Sequence, residues 1–211
     1  MMRQRILVKV CGMRERSNAL AIACCMPDYM GFIFVSESPR FVEPAVRDEL
    51  LQSIPATIKT VGVFRDAEIG EVEETVMRFR LSAVQLHGAE DSGFIAECKR
   101  KMPSCYVFKA LALTESRVDF TKLPKGADLF MFDGARPGSG EEFDWSLLDN
   151  YSGSVPFFIA GGIGVHSCEK VRRFVSTHPL CIGIDINSKV ESSAGIKDER
   201  AVRQVLEGVR L

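Results

Sequence analysis

The sequence lacks the features that mark several protein classes. Its 27 basic and 28 acidic residues give a net charge of −1, so no positive excess attracts nucleic acid. Its apolar runs are far too short to cross a bilayer. The seven cysteines form no C-x-x-C pair, which argues against a zinc site or a disulfide framework. With no signal-like segment at the N-terminus, we expect a reducing cytoplasm.

Two further absences concern the organisation of the chain. No Pro/Gly/Ser-rich linker divides the 211 residues, so we expect a single catalytic domain over residues 1–211. No G-x-G-x-x-G motif follows the first strand-like run, which argues against a dinucleotide-binding sheet.

Eight short apolar runs recur at a steady interval. Their starts lie between 23 and 29 residues apart, which leaves room for one helix between strands. The runs do not alternate between apolar and polar residues, as is typical of parallel strands buried on both faces. They are Ile6–Val10, Gly31–Val35, Thr60–Phe64, Ala83–Leu86, Tyr106–Ala110, Leu129–Asp133, Phe157–Ala160 and Cys181–Ile184.

The segments between these runs show helical patterns. Apolar residues recur at helical spacing, and polar caps precede several segments. The predicted helical segments are Ser17–Cys25, Glu43–Ser53, Glu68–Phe79, Ser167–Val175 and Lys197–Val209, with a shorter one at Trp145–Tyr151. The pattern predicts an α/β protein with a (β/α)₈ TIM barrel, eight parallel strands inside an outer ring of helices. An open doubly wound sheet is the alternative.

Polar residues follow the strand-like runs, where barrels carry their chemistry. Cys11 follows the first run and Asp133 ends the sixth, and a thiol and a carboxyl can divide base and acid roles. Lys9 alternates with Cys11 and can favour its thiolate. Burial among apolar neighbours should raise the pKa of Asp133. Cys11 could instead be a small buried hydrophobe, and Asp133 a cap.

Other strand ends suggest binding groups. Gly161 and Gly162 follow the seventh run, where backbone N–H groups often hold a phosphate, and Asn187 and Ser188 follow the eighth. The glycine pair could also serve only to turn the chain. Arg40 could bind a carboxylate with its planar fork or could be a solvated charge.

Taken together, these motifs resemble the phosphoribosylanthranilate isomerase family of tryptophan biosynthesis, over nearly the whole chain and in order. The matching segments are Lys9-Val-Cys-Gly, Gly31-Phe-Ile-Phe-Val, Ser38-Pro-Arg-Phe-Val, Val61-Gly-Val-Phe, Val84-Gln-Leu-His-Gly, Phe143-Asp-Trp, Ala160-Gly-Gly, Gly183-Ile-Asp-Ile-Asn-Ser-Lys-Val-Glu and Gly195-Ile-Lys-Asp.

The resemblance implies a (β/α)₈ barrel and an Amadori rearrangement of N-(5′-phosphoribosyl)anthranilate, with Asp133 as general acid and Cys11 as general base. It implies no cofactor and no metal. The substrate-binding residues would be Arg40, which would bind the anthranilate moiety, together with His87 and Asp185. The phosphate would lie on Gly161, Gly162, Asn187 and Ser188. The expected partner is this phosphorylated small molecule, with no nucleic acid and no membrane, bound by a monomer or a homodimer.

The chain departs from the family pattern at three places. The usual Gly-Gly-Ser/Thr-Gly loop reads Pro137-Gly-Ser-Gly here. The usual asparagine after the seventh-strand glycines is missing, and Gly164 stands near its place. Asn187 and Lys189 replace the usual serine and glycine in the eighth loop. Rival readings are a histidine-pathway isomerase, whose two-fold repeat and Asp base are missing here, and a non-catalytic phosphate-ligand sensor. A Schiff-base aldolase would need a lysine such as Lys109.

Overall fold

Eight parallel strands close into a barrel in sequential order, as predicted. The computed structural model describes residues 5–113, 119–134 and 143–211. β1 pairs with β2 on one side and β8 on the other, which excludes the open sheet. The strands are β1 (Leu7–Cys11), β2 (Tyr29–Ile33), β3 (Lys59–Phe64), β4 (Ala83–Leu86), β5 (Tyr106–Leu113), β6 (Leu129–Gly134), β7 (Phe157–Ile159) and β8 (Cys181–Ile186).

Helices surround the barrel. In the described ranges they are α1 (Arg16–Ala23), α2 (Arg47–Gln52), α3 (Ile69–Phe79), α4 (Ser92–Lys101), α5 (Cys168–Thr177) and α6 (Glu199–Arg210). Trp145–Leu148 is a single 3₁₀ turn where a short helix was predicted, and a second turn spans Phe120–Lys122. α4 was not predicted; it begins at the Asp91 cap, whose carboxylate accepts a hydrogen bond from the Phe94 amide at 2.9 Å.

The helix predicted from Lys197 begins later. Asp198 caps α6 by accepting a bond from the Ala201 amide at 3.1 Å, and Lys197 lies in a strand instead. That strand, β10 (Ile196–Lys197), pairs antiparallel with β9 (Glu191–Ser193). The small hairpin between β8 and α6 carries Glu191 and Lys197, whose side chains bond to residues at the barrel mouth.

Two apolar layers hold the strands. Outward-facing residues such as Val8, Val10 and Leu86 pack against the helices, and inward-facing residues such as Val61 and Phe158 fill the barrel. Period-2 alternation therefore decides the environment of every strand residue. Lys9 and Cys11 alternate with the outward Val8 and Val10, so both face the barrel interior.

Candidate active site

A cavity of about 320 Å³ opens at the carboxyl ends of the strands. Its lining includes all nine site residues predicted from the sequence, which come from the ends of five strands and the loop after β2. They are Cys11, Arg40, His87, Asp133, Gly161, Gly162, Asp185, Asn187 and Ser188. Barrel closure brings them together although up to 177 positions separate them, from 11 to 188.

Cys11 ends β1, lines the cavity and is 3% exposed. Burial raises the pKa of its thiol, although the nearby Lys9 ammonium acts to lower it. The resting group is therefore a thiol. Lys9 does act to lower the pKa of Cys11, as predicted, but burial has the larger effect. Gly31 on β2 makes room for both groups, because a β-carbon there would lie 2.7 Å from Cys11 Sγ and 3.0 Å from Lys9 Nζ.

Lys9 forms a buried ion pair beside this thiol. Its side chain is wholly buried, and Nζ donates to Asp185 Oδ1 at 3.0 Å. Although burial alone would lower it, the Asp185 carboxylate and Cys11 raise the pKa of Lys9. Burial likewise raises the pKa of Asp185, against the attraction of Lys9. A fixed positive charge therefore lies next to the sulfur.

Asp133 precedes the last residue of β6 and follows a run of Phe and Met residues. Burial raises its pKa to about 6, as expected, against the hydrogen bond that Oδ1 accepts from the Gly134 amide at 2.7 Å. The nearby Asp185 raises it further. A carboxyl with such a pKa can both carry and release a proton near neutral pH.

Arg40 lies in the loop after β2 and reaches the cavity already paired. Its Nε and Nη2 donate to the two carboxylate oxygens of Glu191 at 2.9 and 2.8 Å. This bidentate pair fixes the guanidinium plane and leaves the Nη1 side for a ligand.

The glycine pair after β7 adopts positive φ angles, 76° at Gly161 and 69° at Gly162. Such backbone turns consecutive N–H groups to one side, a geometry that holds anions. Ser188 begins a 3₁₀ turn, Ser188–Val190, just after Asn187, so the loops after β7 and β8 meet at the same wall. The Pro137-Gly138-Ser139-Gly140 segment lies outside the described residues.

His87 and Gln85 line the wall formed by β4. Burial lowers the pKa of His87, and Lys9 adds to this, so the ring is neutral at pH 7. From the sequence, Gln85 is only one member of the segment Val84-Gln-Leu-His-Gly. It is 2% exposed, and its Oε1 has no hydrogen-bond partner in the part of the chain that is described. A buried unpaired carbonyl at a cavity is a signal that the sequence does not carry.

Lys109 is not a cavity residue. It lies between Phe108 and Ala110, which face inward, so its side chain points to the helix layer. There Nζ donates to Glu90 at 2.9 Å and to the carbonyls of Gly88 and Leu86 at 2.6 and 3.3 Å. This arrangement does not support a Schiff-base role.

Two other kinds of functional feature are absent from the described residues. Those residues contain no group of three or more His, Cys, Asp or Glu side chains that could hold a metal ion. Within the same ranges, no helix has the length and apolar character needed to cross a membrane.

The chain is similar in sequence to proteins of one family. Residues 8–208 match the family model described as N-(5′-phosphoribosyl)anthranilate (PRA) isomerase. The chain is 36% identical over 201 residues to the N-(5′-phosphoribosyl)anthranilate isomerase of Parabacteroides distasonis, covering 92% of this chain and 88% of that one. It is also 36% identical over 205 residues to the tryptophan biosynthesis protein TrpCF of Yersinia pestis; this match covers 96% of this chain but only 41% of that longer protein.

The fold agrees as well. The crystal structure of phosphoribosyl anthranilate isomerase from Thermus thermophilus matches with a TM-score of 0.85 and 26% identity. The match covers 97% of this chain and 98% of that one.

Proposed function

The chain belongs to the PRA isomerase family of tryptophan biosynthesis, as an isomerase of a phosphoribosyl substrate, and we propose that Asp133 and Cys11 are its general acid and general base. One observation carries the assignment. The two groups line one cavity from opposite parts of the barrel, and the pKa of Asp133 is raised to about 6.

The proposed chemistry moves protons only. Asp133 gives a proton to the furanose ring oxygen, the C1′–O bond breaks, and a Schiff base forms at C1′. Cys11 as thiolate removes the C2′ proton, which leaves an enolamine. Its tautomerisation gives the ketone, 1-(2-carboxyphenylamino)-1-deoxyribulose 5-phosphate. Electrons pass between C1′ and C2′ of the same molecule, so these steps require no external oxidant or reductant.

The charges beside Cys11 support its role as base. Because burial raises the pKa of this thiol above that of Asp133, the catalytic pair of protonated Asp133 and Cys11 thiolate is a minor form of the singly protonated site. The Lys9 ammonium stabilises that form because it lies next to the sulfur and is held there by Asp185.

The remaining cavity residues suit the other parts of the substrate. Arg40 offers its free side to the anthranilate carboxylate, and the backbone of Gly161 and Gly162 with Asn187 and Ser188 receives the phosphate. His87 and Asp185 line the same cavity and would contact the ribose.

We also infer the setting of the reaction. The whole chain would act as one catalytic domain, as a monomer or a homodimer, on a small phosphorylated substrate. A reducing cytoplasm would suit the chain, because all seven cysteines are free thiols.

The test is turnover of freshly generated phosphoribosylanthranilate, followed as loss of its fluorescence. We expect Cys11→Ala and Asp133→Asn each to lower kcat by on the order of 10²–10⁴-fold. Cys98→Ala, a buried thiol on α4 outside the cavity, is the matched control and should leave kcat unchanged.

Three outcomes would count against the proposal. Activity that survives both substitutions would overturn the acid and base roles. Tight binding by a folded wild type without turnover would favour the sensor. Loss of activity in the Cys98 variant would show that removing any buried thiol lowers kcat, whether or not the thiol lies in the cavity.

A further inference from the structure

Glu191 lies outside the cavity lining but contacts the residue proposed to bind the anthranilate carboxylate. Its side chain is 6% exposed. Both carboxylate oxygens accept bonds from Arg40, at 2.9 and 2.8 Å, and Oε1 also accepts from the Gly195 amide at 3.0 Å. Glu191 therefore holds Arg40 through a planar two-bond contact and is itself tied to its own hairpin.

Lys197 carries the connection to the other end of the site. Its wholly buried Nζ donates to Glu191 Oε1 at 2.5 Å and to Asn187 Oδ1 at 2.6 Å. Its backbone is fixed by two 2.8 Å bonds with the Asn18 side chain on α1. Asn187 belongs to the loop proposed to hold the phosphate, so one buried cluster touches both ligand ends.

The two ends also meet at Gly12, next to Cys11. A β-carbon at Gly12 would lie 2.7 Å from Arg40 Cδ and 3.0 Å from Asn187 Oδ1. Arg40 and Asn187 therefore approach the same point of the chain from two sides. A shift of either group would change the space above the proposed base.

The cluster is charged. Although burial acts to raise it, the hydrogen bonds from Arg40 and Lys197 lower the pKa of Glu191. Two cations then surround one carboxylate, which leaves one net positive charge at the wall where a ligand with two anionic ends, a carboxylate and a phosphate, would bind. A pair used only to fix the hairpin would not need the third member, Arg40, which belongs to a different loop.

We propose that Glu191 and Lys197 are positioning residues that hold Arg40 and Asn187 at a fixed separation, so that the carboxylate and phosphate ends of the substrate bind as one unit. This inference rests on the proposed function. Glu191 occupies the Nε–Nη2 edge of Arg40, so the substrate carboxylate meets the guanidinium end-on, through Nη1. The specificity for a ligand of this length then comes from residues that do not touch it.

The experiment measures each end separately by calorimetry. The first probe is the product with its ketone reduced to an alcohol, called the reduced product analogue. The second is the same analogue without the carboxylate, and the third is inorganic phosphate. Arg40→Met should abolish the affinity gain from the carboxylate and leave phosphate binding unchanged. Asn187→Ala should weaken phosphate binding and leave the affinity gain from the carboxylate unchanged. Glu191→Gln should weaken both, each by about tenfold or more, since small misplacements of binding groups are costly.

Kinetics give a second readout. Glu191→Gln should raise KM for phosphoribosylanthranilate more than it lowers kcat, because it does not touch the reacting atoms. If Glu191→Gln fails to fold, Glu191→Asp keeps the charge but shortens the reach, and should show the same two-ended loss to a smaller degree. Asp48→Asn, which removes an exposed ion pair with Arg78, is the control and should change neither readout.

The outcomes separate this proposal from the function itself. If Glu191→Gln reduces only the affinity gain from the carboxylate, as Arg40→Met does, then Glu191 does not position the phosphate end and the proposal fails. If it changes neither end, Glu191 has only a structural role and the proposal fails. A wild type that neither turns over the substrate nor binds the reduced product would instead overturn the proposed function.

Discussion

Two buried lysines on the barrel strands show how differently the same side chain is used. Lys9 on β1 and Lys109 on β5 are 0% and 3% exposed, and each pairs with a carboxylate that is at most 9% exposed, Asp185 and Glu90. Residue type, burial and pairing are thus nearly the same. Only the face of the strand differs, because Lys9 points into the barrel and Lys109 points to the helices.

The outer lysine uses all of its donors within the protein. Lys109 binds one carboxylate and two backbone carbonyls, which satisfies the three N–H bonds of an ammonium. Glu90 in turn accepts from the amides of Asp66 and Gly88 at 2.9 Å, so this pair ties down the loops after β3 and β4. The inner lysine instead lies next to a thiol at a cavity. Burial and charge therefore locate buried ion pairs, and the strand face decides which of them serves chemistry.

Breaking the outer pair should give the largest effect, on stability. Lys109→Met leaves the Glu90 carboxylate buried without its cation, which typically costs about 3–5 kcal/mol. Urea unfolding should show this loss, while kcat per folded molecule stays near that of the wild type. A second change, Glu90→Gln, should restore part of the stability when combined with it. A large fall in kcat without loss of stability would reverse the roles given to the two lysines.

Breaking the inner pair should lower turnover as well as stability, because Asp185 is then left buried without its cation. Lys9→Met removes the cation that stabilises the Cys11 thiolate, and we expect kcat to fall by on the order of 10²-fold, as for lost electrostatic stabilisation in other active sites. Alkylation of Cys11 by iodoacetamide, followed on its peptide by mass spectrometry, should shift to higher pH. An unchanged alkylation profile in a folded variant would remove Lys9 from the mechanism.

Two strand glycines, Gly31 and Gly62, allow the inner and outer faces of the strands to be compared by packing. A β-carbon at Gly31 would press on Cys11 and Lys9, whereas one at Gly62 would lie 2.7 and 2.8 Å from Leu81 and Phe64 in the outer layer. Overpacking costs about 1–3 kcal/mol in each case. We expect both Gly31→Ala and Gly62→Ala to be less stable in urea, but only Gly31→Ala to lower kcat. Equal kcat in the two variants would contradict the close approach of Cys11 and Lys9.

The pH dependence of kcat/KM tests the groups on the inner face, Asp133 and Cys11, through the gain or loss of a single proton. With the pKa of Asp133 at about 6 and that of Cys11 raised, kcat/KM should fall about tenfold per pH unit below pH 6 and stay level up to the raised pKa of Cys11. In Asp133→Asn the level region should disappear, and the residual rate should climb with pH as thiolate forms. The substrate titrates equally in both enzymes, so a level region kept in the variant would exclude Asp133 as the acid.

The sequence predicted the strands well because parallel strands buried on both sides are continuous apolar runs. Ala83–Leu86 is found as predicted, and Gly31–Val35 is found two residues earlier, since Tyr29 and Met30 also pair with β3. Helix α4 was missed because its ten residues are polar around one buried stripe, with Ile95 and Cys98 its only fully buried members.

The strand ends also predicted which residues share the cavity, because the carboxyl ends of barrel strands meet at one mouth. The sequence could not indicate the second set of contacts. Glu191 and Lys197 stand in a hairpin that breaks the strand–helix rhythm, and Lys197 was assigned to a helix. Their partners, Arg40 and Asn187, are identified only once the loops after β2 and β8 are folded together.

The pairing of β1 with β8 has a consequence for how the protein folds. Lys9 and Asp185 are 176 residues apart, and their contact forms only when the last strand closes the barrel. Until then β1 and the newest strand are open edges, able to pair with other chains. Pairing across such a long loop is a slow step of folding. During refolding, recovery of turnover should therefore lag behind recovery of the helical circular dichroism signal. The time course of turnover then reports when the barrel closes.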